Sequence, residues 1–227
     1  MAGFLTHEWI AYLVLQKLKR KQIISQSENI DDYFFGAVAP DIRYSANIAR
    51  EITHKPGGEE SIFEMLKMSV PSFPFVAGYE THLITDIAWS NDKNWLKESI
   101  YEHYSMNANN TIQKITLYGL VDDYFQAKAD WLFPYTCAGY VFRANDFEIL
   151  KRIRISEKEI LAYKSILIPY LREPGIDSII NLGFFPDNRD ETLVAQFLDD
   201  HTSITKYLQK FEKTAVEKCV ESLEKYV

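Results

Sequence analysis

Apolar residues recur at intervals of three and four along most of this chain, the spacing of one face of an α-helix. Ile10, Leu13, Val14 and Leu18 form such a stripe with Lys17, and Thr6 is placed to cap a helix from His7 to about Arg20. A second helix is predicted from about Asn29 to Ala37, ended by Pro40. Glu59 to Met68 reads as a short helix, set off by Pro56-Gly57-Gly58 on one side and by Pro71 and Pro74 on the other. Val76, Tyr79, Leu83 and Ile87 predict a central helix from Phe75 to about Trp89. Lys93 to Tyr118 and Val121 to Phe133 read as two further helices. Ser156-Glu-Lys-Glu159 is a capping-box pattern, opening a helix to about Leu171 before the Pro174-Gly175 break. Asp190 is placed to cap one long final helix whose stripe runs through Leu193, Phe197, Ile204, Leu208, Phe211, Ala215 and Cys219. Residues 134–150 show no clear period. The chain contains no alternating run of strand length, no internal repeat and no linker. The expected fold class is therefore all-α, a single multi-helix domain over residues 1–227.

Composition agrees with a soluble globular protein: 47 % of residues are hydrophobic and 25 % charged. The 14 Phe, 14 Tyr and 4 Trp can fill a large core or line a pocket. Nine Gly and eight Pro are too few for a sandwich or barrel built from many tight turns. The net charge of −7 disfavours broad binding to a nucleic-acid backbone, which needs clustered cations. A small phosphate substrate stays allowed, because a bound dication can invert the local potential. The basic cluster Lys17, Lys19, Arg20, Lys21 reads as a solvated helix end favoured by the helix dipole. Cys137 and Cys219 form no CxxC pair, which fits a reducing compartment rather than a disulfide framework. The apolar run Trp9 to Leu15 is too short to cross a bilayer, and no basic segment precedes it. These features lead us to expect a cytoplasmic protein with no transmembrane segment.

Candidate chemistry gathers in the first 90 residues. His82-Leu-Ile-Thr-Asp86 places an imidazole and a carboxylate on one helix face, about 5–6 Å apart at Cβ. Gly78, one turn earlier, leaves room for another backbone or a substrate. His7 lies in the first turn of the first helix, and His54 precedes the Pro-Gly-Gly break. Asp41 follows Pro40 at the end of the apolar stretch from Tyr33, where a buried carboxylate would need a cation or hydrogen bonds. Singly, each has a plainer reading: an ion pair for His82 and Asp86, a turn residue for Asp41.

Taken in order, Thr6-His7, Gly36-x-x-x-Pro-Asp41, His54 and Gly78-Tyr-Glu-Thr-His82-Leu-Ile-Thr-Asp86 resemble the zinc-dependent phospholipase C/S1-P1 nuclease group over roughly residues 4–90. The resemblance implies an all-helical fold around a cluster of up to three zinc ions. It implies one zinc held by Asp41, His54, His82 and Asp86, and a second held by His7 with Asp86 as the bridge. One or two zinc ions are expected here. Secreted members also use the α-amine of a processed N-terminus, whereas Met1 or Ala2 here lies five or six residues before His7. The family's third site needs a further His and a His-x-x-x-Glu pair. His103 and His201 are followed four residues later by Asn107 and Thr205, so that site is missing or rebuilt, with Asp92, Glu98, Glu102 or His103 as stand-ins. His201, beside Asp199 and Asp200, reads as an exposed helix residue.

The implied activity is hydrolysis of a phosphoester by metal-activated water, in the manner of a phospholipase C-like phosphodiesterase. Zinc lowers the pKa of its water from about 15.7 towards about 7, and Asp41 can serve as general base. Phe4, Trp9, Tyr44 and Trp89 are aromatic candidates for flanking a small-molecule or lipid phosphoester. Residues 95–227 lie outside the resemblance and form a helical extension without an assigned role. Two alternatives stay open. An HD-type phosphohydrolase would also use His and Asp from several helices, but it wants an adjacent His-Asp doublet that this chain lacks. A non-catalytic helical binding or structural module would keep the scaffold with a degenerate metal site.

Overall fold

In a computed structural model of the chain, the described residues are 2–24, 29–54, 73–90, 97–107, 109–129, 133–145, 147–182 and 188–225. Among them all regular structure is helical, so the fold is all-α. The expected helix at Glu59 to Met68 lies outside the described residues.

The helix α1 spans Phe4–Arg20 and α2 spans Ile30–Val38, followed by a 3₁₀ turn over Ala39–Ile42. Two single-turn helices follow, α3 at Arg43–Ala46 and α4 at Arg50–Thr53. The central helix α5 runs over Phe73–Ser90. Then come α6 (Lys97–His103), α7 (Thr111–Lys128), α8 (Phe133–Arg143), α9 (Glu148–Arg152) and α10 (Glu157–Arg172). The chain closes with α11 (Ile176–Asn181), α12 (Glu191–Asp199) and α13 (His201–Glu224).

Several boundaries differ from the local reading. The first helix begins at Phe4, and Thr6 lies inside it without capping it. Its free N–H groups are met from another helix instead. The Asp122 carboxylate of α7 accepts from Leu5 N at 3.1 Å, from Thr6 N at 2.9 Å, and from the Thr6 hydroxyl. Tyr170 of α10 donates to the same carboxylate. The break expected at 119–120 falls instead at 104–110, where Ser105 takes a positive φ of 51°. Gly119 continues α7 and lets α11 pass: a Cβ there would lie 2.6 Å from Ile176 Cα. The final stretch is two helices rather than one, because Asp200 leaves helical geometry and caps α13 by accepting from Ser203 N. The Ser156 capping box is present as read, with Ser156 and Glu159 each accepting from the other's backbone N–H.

Two apolar clusters build the interior. One joins α1 and α13 through Ile10, Val14, Leu18, Leu208, Phe211 and Leu223. The other joins α2, α8 and α10 through Phe35, Val141, Tyr163 and Leu167. The helix α5 serves both, giving Ala88 and Trp89 to the first and Phe75, Val76 and Tyr79 to the second. It also crosses α2 unusually closely. A Cβ on Gly78 would lie 1.9 Å from the Tyr33 carbonyl oxygen, and one on Gly36 would lie 2.2 Å from the Phe75 carbonyl oxygen. Each helix therefore offers a glycine to the other's backbone, which brings the end of α2 against the middle of α5.

Candidate metal centre

That crossing sets the first site residue. His82 projects from α5 and its Nδ1–H donates to the Ala37 carbonyl of α2 at 2.8 Å. The bond fixes the tautomer, so the Nε2 lone pair faces inward and accepts from His54 Nε2. The ring of His7, from α1, stacks on His82 with centroids 3.7 Å apart and planes 10° apart. His54 arrives at the end of α4. Its Nδ1 meets the Thr53 hydroxyl at 2.9 Å, and Tyr79 of α5 anchors that residue by donating to the Thr53 carbonyl at 2.7 Å. His54 Nε2 then lies 3.1 Å from His82 Nε2. Asp41 comes from the 3₁₀ turn that Pro40 helps to form, and Asp86 from one turn beyond His82.

All five residues singled out in the sequence meet in one place. His54 Nε2 is 3.8 Å from Asp41 Oδ1 and 3.5 Å from Asp86 Oδ2, while His7 Nε2 is 3.6 Å from Asp86 Oδ1. Ligand atoms of two trios lie within 4.8 Å of one another: His7, Asp41 and His82, and His54, His82 and Asp86. The grouping differs from the one the family resemblance implies, because His82 rather than Asp86 belongs to both trios.

Burial makes this cluster costly without a cation. The five residues are between 0 % and 4 % exposed. Both ring nitrogens of His7 and both carboxylate oxygens of Asp41 are buried without a hydrogen-bond partner. Each such atom costs about 1–3 kcal/mol. Burial lowers the pKa of His7 to about 3, against the opposing pull of Asp86, and lowers those of His54 and His82 as well. All three imidazoles are thus neutral at neutral pH, with lone pairs available to a metal. Asp41 is raised to about 7, by burial first and by the Asp86 charge second. Burial also pushes Asp86 upward, but the surrounding positive charge and the imidazoles outweigh it and hold this carboxyl well below its ordinary range.

The donor set of three imidazoles and two carboxylates suits zinc, and the buried, unpartnered atoms of His7 and Asp41 are what a cation would satisfy. The other sequence candidates fall elsewhere. Phe4 packs against Tyr170, Trp89 against Phe211, and Trp9 turns outward to donate to Glu212. Of the four aromatic candidates only Tyr44 stands by the site, under the Arg43 guanidinium. His103 turns to Asp200, and Glu102 is exposed. Asp92 and the side chains of Glu98 and His201 lie outside the described residues. Local reading missed Arg43 and Arg50, although they sit two residues after Asp41 and four before His54. It also missed the Ala2 backbone N–H, which donates to Asp86 Oδ1 at 3.2 Å.

No family model matches this chain, and no curated protein or solved structure matches it either. The fold and the site define an all-helical protein with a buried His/Asp cluster suited to a metal ion. Among the described residues no helix is long and apolar enough to cross a membrane.

Proposed function

We propose that this protein is a zinc-dependent phosphoester hydrolase of the phospholipase C/S1-P1 nuclease type. The observation that carries the reading is the convergence of His7, Asp41, His54, His82 and Asp86, with four of their polar atoms buried and making no hydrogen bond. His82 has one nitrogen left after its bond to Ala37, so the two trios compete for that nitrogen. The two trios as grouped could not both be filled through His82, so one zinc per chain is the occupancy we propose.

A bound zinc supplies Lewis acidity and brings the pKa of a coordinated water towards about 7. The protein residues do the rest. His7, His54 and His82, neutral through burial, would hold the ion. Asp41, whose carboxylate stands at the cradle 3.8 Å from His54 Nε2, would accept a proton from the attacking water. The water oxygen bonds to phosphorus, the P–O ester bond breaks, and the proton leaves with the alcohol.

The competing reading is a helical module that binds no metal. It has one observation in its favour: Arg50 already places a cation on Asp86, at 2.6 Å. Metal analysis of protein purified without chelator separates the two. We expect about one zinc per chain in the wild type, and loss of both zinc and phosphoesterase activity in His82→Ala and Asp86→Ala. Normal zinc content in both variants would end the assignment.

A further inference from the structure

Two arginines beside the cradle have no part in holding a metal. Arg43, in α3, brings its Nε to 3.9 Å from Asp41 Oδ1. That Nε–H is buried and has no hydrogen-bond acceptor. The side chain is held in place by Tyr44: its guanidinium lies 3.9 Å over the ring, and Nη2 donates to the Tyr44 hydroxyl. Arg50, in α4, reaches the opposite carboxylate, donating to Asp86 Oδ2 at 2.6 Å from a side chain that is 46 % exposed. His54 Nε2 lies between these two carboxylates, and the charges of both arginines act on His54 and on Asp41.

We infer that Arg43 and Arg50 form an anion clamp that presents a phosphate dianion, the terminal group of a phosphomonoester, to the metal cradle. The inference rests on the zinc reading above and moves its substrate class from the diesters of a phospholipase C-like phosphodiesterase to phosphomonoesters. A buried N–H without an acceptor is expensive, and an incoming phosphate oxygen supplies the acceptor that Arg43 lacks. Planar guanidinium groups match phosphate oxygens in pairs, which a point charge does not. Arg50 spans from solvent to the cradle, and a dication at Asp86 takes over its present role and frees it for a ligand. Charge selects among phosphates. With both carboxylates ionised, one dication and two guanidinium groups leave two positive charges uncompensated. A phosphomonoester dianion neutralises them, a diester brings only one negative charge, and a quaternary ammonium headgroup would be repelled by both arginines.

The test is calorimetric titration of the zinc-loaded full chain with inorganic phosphate, and with dimethyl phosphate as a diester probe. Wild type, Arg43→Gln and Arg50→Gln are compared, and zinc per chain is measured in each. We expect the wild type to bind phosphate roughly tenfold or more tightly than dimethyl phosphate. Each substitution should weaken phosphate binding by roughly tenfold, with zinc content unchanged. Arg50 is half exposed, so Arg50→Gln carries the test alone if Arg43→Gln does not fold. Phosphate binding within about twofold of wild type in a zinc-loaded Arg50→Gln protein would overturn the clamp and leave the zinc reading standing. Equal affinity for the two probes would overturn the preference for a dianion. A wild type that holds no zinc would end the metal reading and the clamp with it.

Discussion

Asp41 sits in a position that folding alone does not favour. It is buried, both its oxygens lack a hydrogen bond, and its pKa is raised to about 7 by burial and by Asp86. The unfolded chain ionises this group near about 3.9. Because the folded value lies above the unfolded one, the stabilising contribution is full below about pH 4 and is lost as pH rises through about 7. Above pH 7 the metal-free protein carries in its interior an ionised carboxylate that accepts no hydrogen bond and has only the long 3.9 Å approach of Arg43 Nε. Asp41→Asn should therefore raise the stability of metal-free protein at pH 8 by about 1–3 kcal/mol, and change it little at pH 4. The same substitution should lower zinc affinity. Urea melts at the two pH values, run with chelator, check this; a destabilised Asp41→Asn at pH 8 would mean that the carboxylate has protein partners rather than a cation to serve.

At the scale of elements, the α2–α5 crossing places His82. Gly78→Ala would drive a methyl group into the Tyr33 carbonyl, since the space there is only 1.9 Å. We expect a loss of about 2–3 kcal/mol in stability, and weaker zinc binding as Ala37 withdraws from His82. A Gly78→Ala protein with wild-type melting would contradict the close crossing. The start of α1 depends on α7 in the same way. Asp122→Ala removes the acceptor for Leu5 N, Thr6 N, the Thr6 hydroxyl and the Tyr170 hydroxyl, and should cost about 2–4 kcal/mol. Since α1 carries His7, zinc affinity should fall with it; thermal melts and metal analysis on one preparation follow both effects.

These elements also mark how far the sequence could be read. The capping box at Ser156 was legible because its partners lie three residues apart. The cap of α1 was not, because Asp122 is more than a hundred residues from Thr6. The apolar stripe from Leu193 to Cys219 runs through two helices, and its period hid the break at Asp200. Gly78 was read as leaving room for a backbone or a substrate, and the backbone of α2 fills it. The five site residues were visible because histidine is scarce in this chain and HxxxD marks a helix face. Arg43 and Arg50 were not, because a lone arginine carries no spacing signal and only the folded turn after Asp41 puts both beside the cradle.

Across the whole molecule, the site ties together segments that are far apart in sequence: α1, the turn after α2, the end of α4, and α5. A ligand that binds only the folded arrangement stabilises it by mass action. Zinc at about a hundred times its dissociation constant should add about 2.7 kcal/mol, and for a chain of this size each kcal/mol raises the melting temperature by about 2–4 °C. Calorimetric melts with zinc and with chelator should differ accordingly, and the difference should vanish in His82→Ala. The central claim is that one dication sits among five side chains. Anomalous scattering at the zinc edge, on crystals grown without chelator, tests it most directly. The account predicts one strong peak bounded by His7, Asp41, His54, His82 and Asp86. A peak elsewhere in the molecule, or no peak in protein that binds zinc in solution, would contradict it.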